Sequence, residues 1–350
     1  MSAAELASLN KRREYESKKD ARAKLIPAPG PLSDVIHMNL VAEKQSQSTA
    51  GTCNVLVSGS SGLVGRALLE RLAQRGQQTK RLVRSNPSPN EVLWDPIRGE
   101  IDERSIATQA VVHLAGENIA DGRWTKSKME AIRASRVRGT RLLAESLARL
   151  ENPPSVLVSA SAIGFYGDGG DELLTEESSV GKGFLPEVCQ EWEDACDAAR
   201  NAGIRVVNLR IGVVLARGGG ALSKMLLPFK LGFGGRIGNG KQYMSWVLLD
   251  DLVSIICEAI DNESLSGPIN ATAPNPVSNM QFTKTLGKVL RRPTIAPLPG
   301  FVARAVLGRM ADDLLLASLR VHPTKLLDAG FKFCQPELEG ALRGVLSPSQ

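Results

Sequence analysis

Residues 54–76 read NVLVSGSSGLVGRALLERLAQRG, and this stretch decides the fold. Val55 to Val57 form a short apolar run of the kind that suits a buried strand. Gly59, Gly62 and Gly65 follow, and the apolar residues after them recur at helical spacing. In a strand–turn–helix unit each glycine has a separate task. Gly59 permits the tight turn at the strand end. Gly62 lets the backbone approach a diphosphate, and Gly65 lets the helix lie against the strand. The helix start offers free N–H groups and the positive end of its dipole to that diphosphate. Glycine spacing alone would read only as a structural turn; the flanking strand and helix patterns make it a predicted dinucleotide site.

Outward from this unit, strand-like and helix-like runs alternate. Strands are predicted near 53–58, 78–84, 110–115, 155–160 and 204–210, and helices near 63–75, 126–150 and 185–202. Short β-rich runs separated by helix-length segments predict an α/β fold with a parallel sheet covered on both faces. In the second helix Met129, Ile132, Leu143 and Leu147 mark an apolar side, and its arginines read as a solvated face. Residues 216–242 are glycine-rich and suggest a mobile loop over a substrate cleft. Residues 1–50 read as a polar extension, and 263–350 as a smaller C-terminal lobe that carries most of the later prolines.

The second strand names the dinucleotide. An NAD site normally presents an acid to the adenosine ribose about 20 residues past the glycines. Between Arg71 and Asn90 there is no Asp or Glu; Lys80, Arg81, Arg84 and Ser85 stand there instead. Arg84 falls at the strand end, where a forked guanidinium suits the 2′-phosphate of NADP(H). Arg84 also fits an ordinary surface residue at a strand end.

The composition narrows the field further. The chain has 350 residues, 43% hydrophobic and 23% charged, which allows a sizeable core and argues against a membrane protein. The net charge of +6 could suit nucleic acid, but aromatic residues make up only 4% and no stacking platform is visible. Cys53, Cys189, Cys196, Cys257 and Cys334 are odd in number and lack a CxxC pair, so neither a disulfide framework nor zinc is expected. His37, His113 and His322 lie far apart in sequence and suggest no metal site. Residues 5–24 mix Lys and Arg with Glu5, Glu14, Glu16 and Asp20, unlike an organelle transit peptide. A cytoplasmic location is expected, with targeting by the arm left open and Met38 a second candidate start.

GSSGLVG (59–65), HLAGENI (113–119) and SASAIGFYGD (159–168) resemble the extended short-chain dehydrogenase/reductases. RWTKSKMEAIRASRVRGTRLL (123–143), WEDAC (192–196), SWVLLDDLV (245–253), GPINATAPNPVSNMQF (267–282) and VHPTKLLDAGFKF (321–333) resemble the atypical YfcH-like members of the NAD-dependent epimerase/dehydratase family. The resemblance covers residues 53–346. It implies a doubly wound Rossmann domain over 51–262, an NADP(H) site and a lobe over the substrate cleft. It further implies that Ser60, Ser61 and Leu63 cover the diphosphate, that Leu114, Ala115, Gly116 and Asn118 line the cofactor, and that Ser159 to Ser161 face the nicotinamide. Asn118 and Trp246 are then expected toward the substrate. A homodimer is compatible with this reading.

Typical members place Tyr and Lys at Y-x-x-x-K on one helix, where the spacing stacks both side chains. Lys holds the nicotinamide ribose, and Tyr exchanges the proton. Among Tyr15, Tyr166 and Tyr243, only Tyr15 has a lysine four residues on, Lys19, and that pair lies in the polar arm. On the expected helix, Cys189 and Glu193 fall near the two positions, give or take a residue. Ser161, Cys189 and Glu193 are therefore the candidate catalytic set, with Glu191 an alternative to Glu193. Each has a plainer reading: Cys189 as a small core residue, Glu193 as a helix anchor beside Trp192, Ser161 as a strand-end hydroxyl. Two functions fit. One is an NADP(H)-dependent oxidoreductase or epimerase for a small polar substrate, a nucleotide sugar among the candidates, with non-standard acid/base groups. The other is a non-catalytic NADP(H) sensor, linked to cell division by the labels that such proteins carry.

Overall fold

The computed structural model describes residues 55–347. The extension over 1–50, with Tyr15, Lys19, His37 and Met38, lies outside the described residues, as does Cys53. The central sheet is built from β1 (Val55–Ser58), β2 (Thr79–Val83), β3 (Glu91–Asp95), β4 (Glu100–Ile101), β5 (Ala110–His113), β6 (Val156–Ala162), β7 (Arg205–Ile211) and β8 (Gly267–Ala271). Their spatial order is β8-β7-β6-β5-β1-β2-β3-β4. All neighbours are parallel except β3 and β4. The strand order therefore reverses at β1, between β2 on one side and β5 on the other, and ligands of such sheets bind at that crevice.

Helices α1 (Leu63–Gln74), α2 (Lys126–Ala148), α3 (Phe184–Asp194), α4 (Gly220–Lys230), α5 (Leu249–Asp261) and α6 (Asn279–Leu290) are the long ones. Alternation along β1 sets the two faces. Val55 and Val57 pack with Leu68 and Leu72 of α1 and with Leu252, Ile255 and Ile256 of α5. Leu56 points the other way, toward Leu143, Ala144 and Leu147 of α2. Each of these side chains is fully buried, which contributes roughly 1.5–3 kcal/mol apiece for the Val, Leu and Ile residues.

The predicted strands and first two helices fall within a few residues of the observed ones. The predicted helix over 185–202 is broken: α3 ends at Asp194, and a separate short helix covers Asp197–Asn201. The glycine-rich stretch is not simply a mobile loop. Part of it folds into α4, despite Pro228, because Leu222 and Phe229 reach the core. Lys224 Nζ ties this helix to the loop after β5, bonding Ala120 O at 2.6 Å and Asp121 Oδ1 at 2.7 Å. Trp246 is also corrected. It is fully buried in a core with Leu215, Phe282 and Leu342, so it cannot face a substrate. No helix among the described residues is long and apolar enough to cross a membrane.

Candidate cofactor and substrate site

The glycine turn has the geometry that a diphosphate needs. Gly59 sits at φ +66, and a Cβ there would lie 2.7 Å from the Leu114 carbonyl carbon. At Gly65 a Cβ would fall 2.3 Å from Gly59 O, so this glycine lets α1 press onto the turn itself. Gly62 donates its N–H to Gly59 O at 3.0 Å, and a Cβ on it would approach that oxygen to 3.2 Å. Gly62 is the N-cap of α1, with no side-chain cap and no acid in the first turn. The first amides of a 12-residue helix thus lack a side-chain acceptor at the sheet's reversal point. Ser61 and Gly62 are exposed, and Ser60 and Leu63 are half-buried. These residues fit a dinucleotide diphosphate.

The far wall is the turn after β5. Ser58 Oγ accepts from the Leu114 and Ala115 amides at 3.1 and 3.3 Å and lies 2.7 Å from His113 Nδ1. With both lone pairs so engaged, the Ser58 hydroxyl is left to donate to His113 Nδ1. His113 is fully buried, and desolvation pushes its pKa down to about 4. Leu114 and Ala115 are half-buried, and Gly116 and Asn118 are exposed. Asn118 donates to Asp121 Oδ2 at 2.7 Å.

Arg84 directly follows β2 and is exposed, as is Ser85. The parallel register pairs Val57 with Arg81 and so brings the ends of β1 and β2 level, with Arg84 beside the glycine turn. Arg81 itself is paired with Glu91 at 2.7 Å.

The expected catalytic set clusters, but around an unforeseen partner. Ser161 Oγ donates to Glu193 Oε1 at 2.7 Å. Arg210 grips the same carboxylate with two bonds, Nε to Oε1 and Nη2 to Oε2, both 2.9 Å. Arg210 also donates to Tyr166 O–H at 3.0 Å, and Tyr166 donates onward to Asn270 Oδ1 at 2.7 Å. Asn270 N in turn donates to Glu176 Oε1 at 3.0 Å, while the Arg210 guanidinium lies 3.5 Å from the Phe165 ring centre. The sequence held a signal for this network: Arg210 interrupts an apolar strand run, and a charge there needs a carboxylate. Ser159 is fully buried; its Oγ lies 3.4 Å from Ala160 O and is hydrogen-bonded with the Cys196 thiol.

Cys189 is 2% exposed, and burial pushes its thiol up to about 12. Its sulfur would lie 3.8 Å from a Cβ on Gly164, and Gly164 lines a polar pocket. This pocket, about 190 Å³, is shared by the end of β6, the start of α3 and the stretch 304–319. Lys182, Arg304, Asp312 and Asp313 bring charge to it. Asp313 Oδ2 is buried without a hydrogen bond, and desolvation raises the Asp313 pKa.

A profile of the NAD dependent epimerase/dehydratase family matches residues 55–271, most of the chain. The chain belongs to this family. A second profile, a domain of unknown function, matches residues 298–345, the segment that supplies one side of the pocket. An epimerase family protein of Mycobacterium leprae is 42% identical over 299 residues, 85% of this chain and 97% of that protein. The human epimerase family protein SDR39U1, crystallised with NADPH, superposes with a TM-score of 0.76 at 34% identity, covering 83% of this chain and 98% of its own. The chloroplastic SDR39U1 homologue of Arabidopsis thaliana is 38% identical over 315 residues, 87% of this chain and 88% of that protein. The family match agrees with the sheet order and the glycine turn.

Proposed function

We propose that this chain binds NADP(H) across the glycine turn and acts as an oxidoreductase or epimerase on a small polar substrate held in the pocket beside Cys189. The observation that carries the reading is the continuity of the site. The glycine turn meets the Leu114–Ala115 backbone, Gly116 packs against Arg136, Arg136 stacks over Trp192 of α3, and the start of α3 lines the charged pocket. The NADPH bound by human SDR39U1 supports the choice of nucleotide, as do the missing acid and the presence of Arg84 after β2. In this reading the domain expected over 51–262 carries the cofactor but runs on through β8, whose Gly267–Ala271 pairs into the central sheet, and the chain beyond 271 forms the lobe over the substrate.

NADP(H) would supply hydride transfer. The protein's own residues do the rest. Gly62 and the first amides of α1 hold the diphosphate, Arg84 and Ser85 meet the 2′-phosphate, and Leu114, Ala115, Gly116 and Asn118 line the path toward the nicotinamide. Ser161 and Glu193 act as positioning residues under Arg210, not as a free acid and base. Cys189 stays a protonated thiol at neutral pH. A proton then has to come from the pocket, where Asp313 is the carboxyl held neutral to a higher pH than usual.

A second reading, a nucleotide-responsive regulator without turnover, is favoured by one observation: Ser161 and Glu193 are locked to each other and to Arg210. The deciding experiment mixes the purified chain with NADPH and a panel of small carbonyl compounds, sugars included, and follows absorbance at 340 nm. Turnover that Asp313→Asn abolishes supports the enzyme. NADPH binding with no NADPH oxidation by any carbonyl of the panel, and no epimer of any sugar detected by NMR, contradicts it.

A further inference from the structure

We propose that Arg136, on the inner side of α2, is the cation that holds the nicotinamide-side half of the cofactor. This rests on the NADP(H) reading above. The arginines of α2 read in sequence as a solvated face, and Arg133 and Arg138 behave so, as does Arg149 at the C-cap. Arg133 meets Glu187 and Glu191, Arg138 meets Glu130, and Arg149 meets Glu103. Arg136 differs. Among the described residues no carboxylate lies within ion-pair distance of it, and its one hydrogen bond is from Nη1 to its own helix, at Ile132 O, 3.2 Å away. Glu117 acts on it through space, but that carboxylate is bonded to Lys128 Nζ at 2.6 Å. Burial depresses the Arg136 pKa, as expected for a guanidinium drawn from water without a counter-ion.

Its position explains what such a charge is for. The Arg136 guanidinium stacks over Trp192 of α3, 5.0 Å from the ring centre. It also packs directly against the turn after β5: a Cβ on Gly116 would lie 3.4 Å from Arg136 Cζ and 3.6 Å from Nη1. Arg136 is therefore on the line that runs from Gly59, past Leu114 and Gly116, to Cys189. Across the sheet the order is β2, β1, β5, β6. Arg84 stands at the β2 end, the glycine turn at β1, and Arg136 over β5 near α3. A dinucleotide laid along this line with its 2′-phosphate at Arg84 brings its second ribose and the adjoining phosphate to Arg136. Four of the five guanidinium N–H groups are free to donate there, and charge-assisted bonds to phosphate or ribose oxygen offset the cost of burial. The position four residues after Cys189, where a lysine would do this work, holds Glu193, already gripped by Arg210. The cation has moved from α3 to α2.

The test compares two ligands on the full chain by calorimetry. NADPH carries both halves of the dinucleotide, and 2′,5′-ADP carries only the adenosine half. Arg136→Gln is expected to weaken NADPH about ten- to a hundredfold, the loss of one or two charged hydrogen bonds, and to leave 2′,5′-ADP within twofold. Arg136→Lys, which keeps the charge and most of the stem, should lose less and retain the wild-type unfolding midpoint. Should Arg136→Gln not fold, the lysine variant alone decides: weaker NADPH with unchanged 2′,5′-ADP supports the assignment. Equal loss of both ligands, or unchanged NADPH affinity, overturns it. Wild-type protein that binds neither ligand overturns the NADP(H) reading itself, and this inference with it.

Discussion

Arg210 holds Glu193 by two parallel hydrogen bonds, and the pair is almost sealed from water, with side-chain exposures of 4% and 10%. The Glu193 carboxylate is thus engaged by Arg210 and Ser161 rather than free. Removing one partner leaves the other buried and unpaired, at a cost of about 3–5 kcal/mol. Arg210→Ala and Glu193→Gln should each lower urea-unfolding stability on that scale. The double variant Arg210→Met/Glu193→Leu should recover much of the loss. A loss under 1 kcal/mol for Arg210→Ala would show that the pair carries little.

Gly62 and Gly65 separate fold from binding. Alanine at Gly65 puts a Cβ 2.3 Å from Gly59 O, so the turn has to shift. That variant should lose both stability and nucleotide affinity. Gly62 has an ordinary φ of −73, is exposed, and would meet Gly59 O at 3.2 Å. Gly62→Ala should keep its unfolding midpoint within a few degrees yet weaken NADPH at least tenfold, because the added methyl enters the space of the diphosphate. Equal affinity for wild type and Gly62→Ala, measured by nucleotide fluorescence, would place the diphosphate elsewhere.

His113 makes the fold sensitive to acid. Its pKa in the folded chain is about 4, below the ordinary value of 6.5, so the unfolded chain binds the extra proton first as pH falls. Its contribution to stability is whole above pH 6.5 and is lost progressively between 6.5 and 4. From pH 7 to pH 5 this one group should remove about 2 kcal/mol. His113→Gln should flatten that part of the stability profile, whatever its own starting stability. A variant with the wild-type slope would assign the acid sensitivity to other groups.

The cysteines should differ in reactivity. Cys189, Cys196 and Cys257 are buried, and Cys334 is exposed. With native protein at neutral pH, brief iodoacetamide treatment followed by peptide mass spectrometry should modify Cys334 and spare Cys189, whose thiol stays protonated. Rapid alkylation of Cys189 would restore it as a candidate nucleophile.

The fold was legible because its signals are local. The β1 run, the three glycines and the period of α1 lie within 23 consecutive residues, 54–76, and the β–α alternation repeats the message. β3 and β8 escaped notice because Glu91–Asp95 and Gly267–Ala271 carry polar, Trp, Gly and Pro residues in short runs. α4 escaped because its glycines and Pro228 read as a loop, and its buried contacts come from distant chain. The part of the site proposed for the phosphates, the glycine turn and Arg84, is equally local in sequence. The other half of the site is not: Arg136 reads as one of many helix arginines until Gly116 and Trp192 are seen to enclose it, and Glu193 reads as a base until Arg210, on another strand, is brought against it.

The central claim is that the nucleotide lies across the glycine turn with Arg84 reading its 2′-phosphate. Calorimetric titration of wild type and Arg84→Asp with NADPH and with NADH tests it most directly. Wild type should bind NADPH at least tenfold more tightly than NADH, and Arg84→Asp should erase that preference by weakening NADPH alone. Equal binding of the two nucleotides by wild type, or an identical loss of both in the variant, would contradict the account.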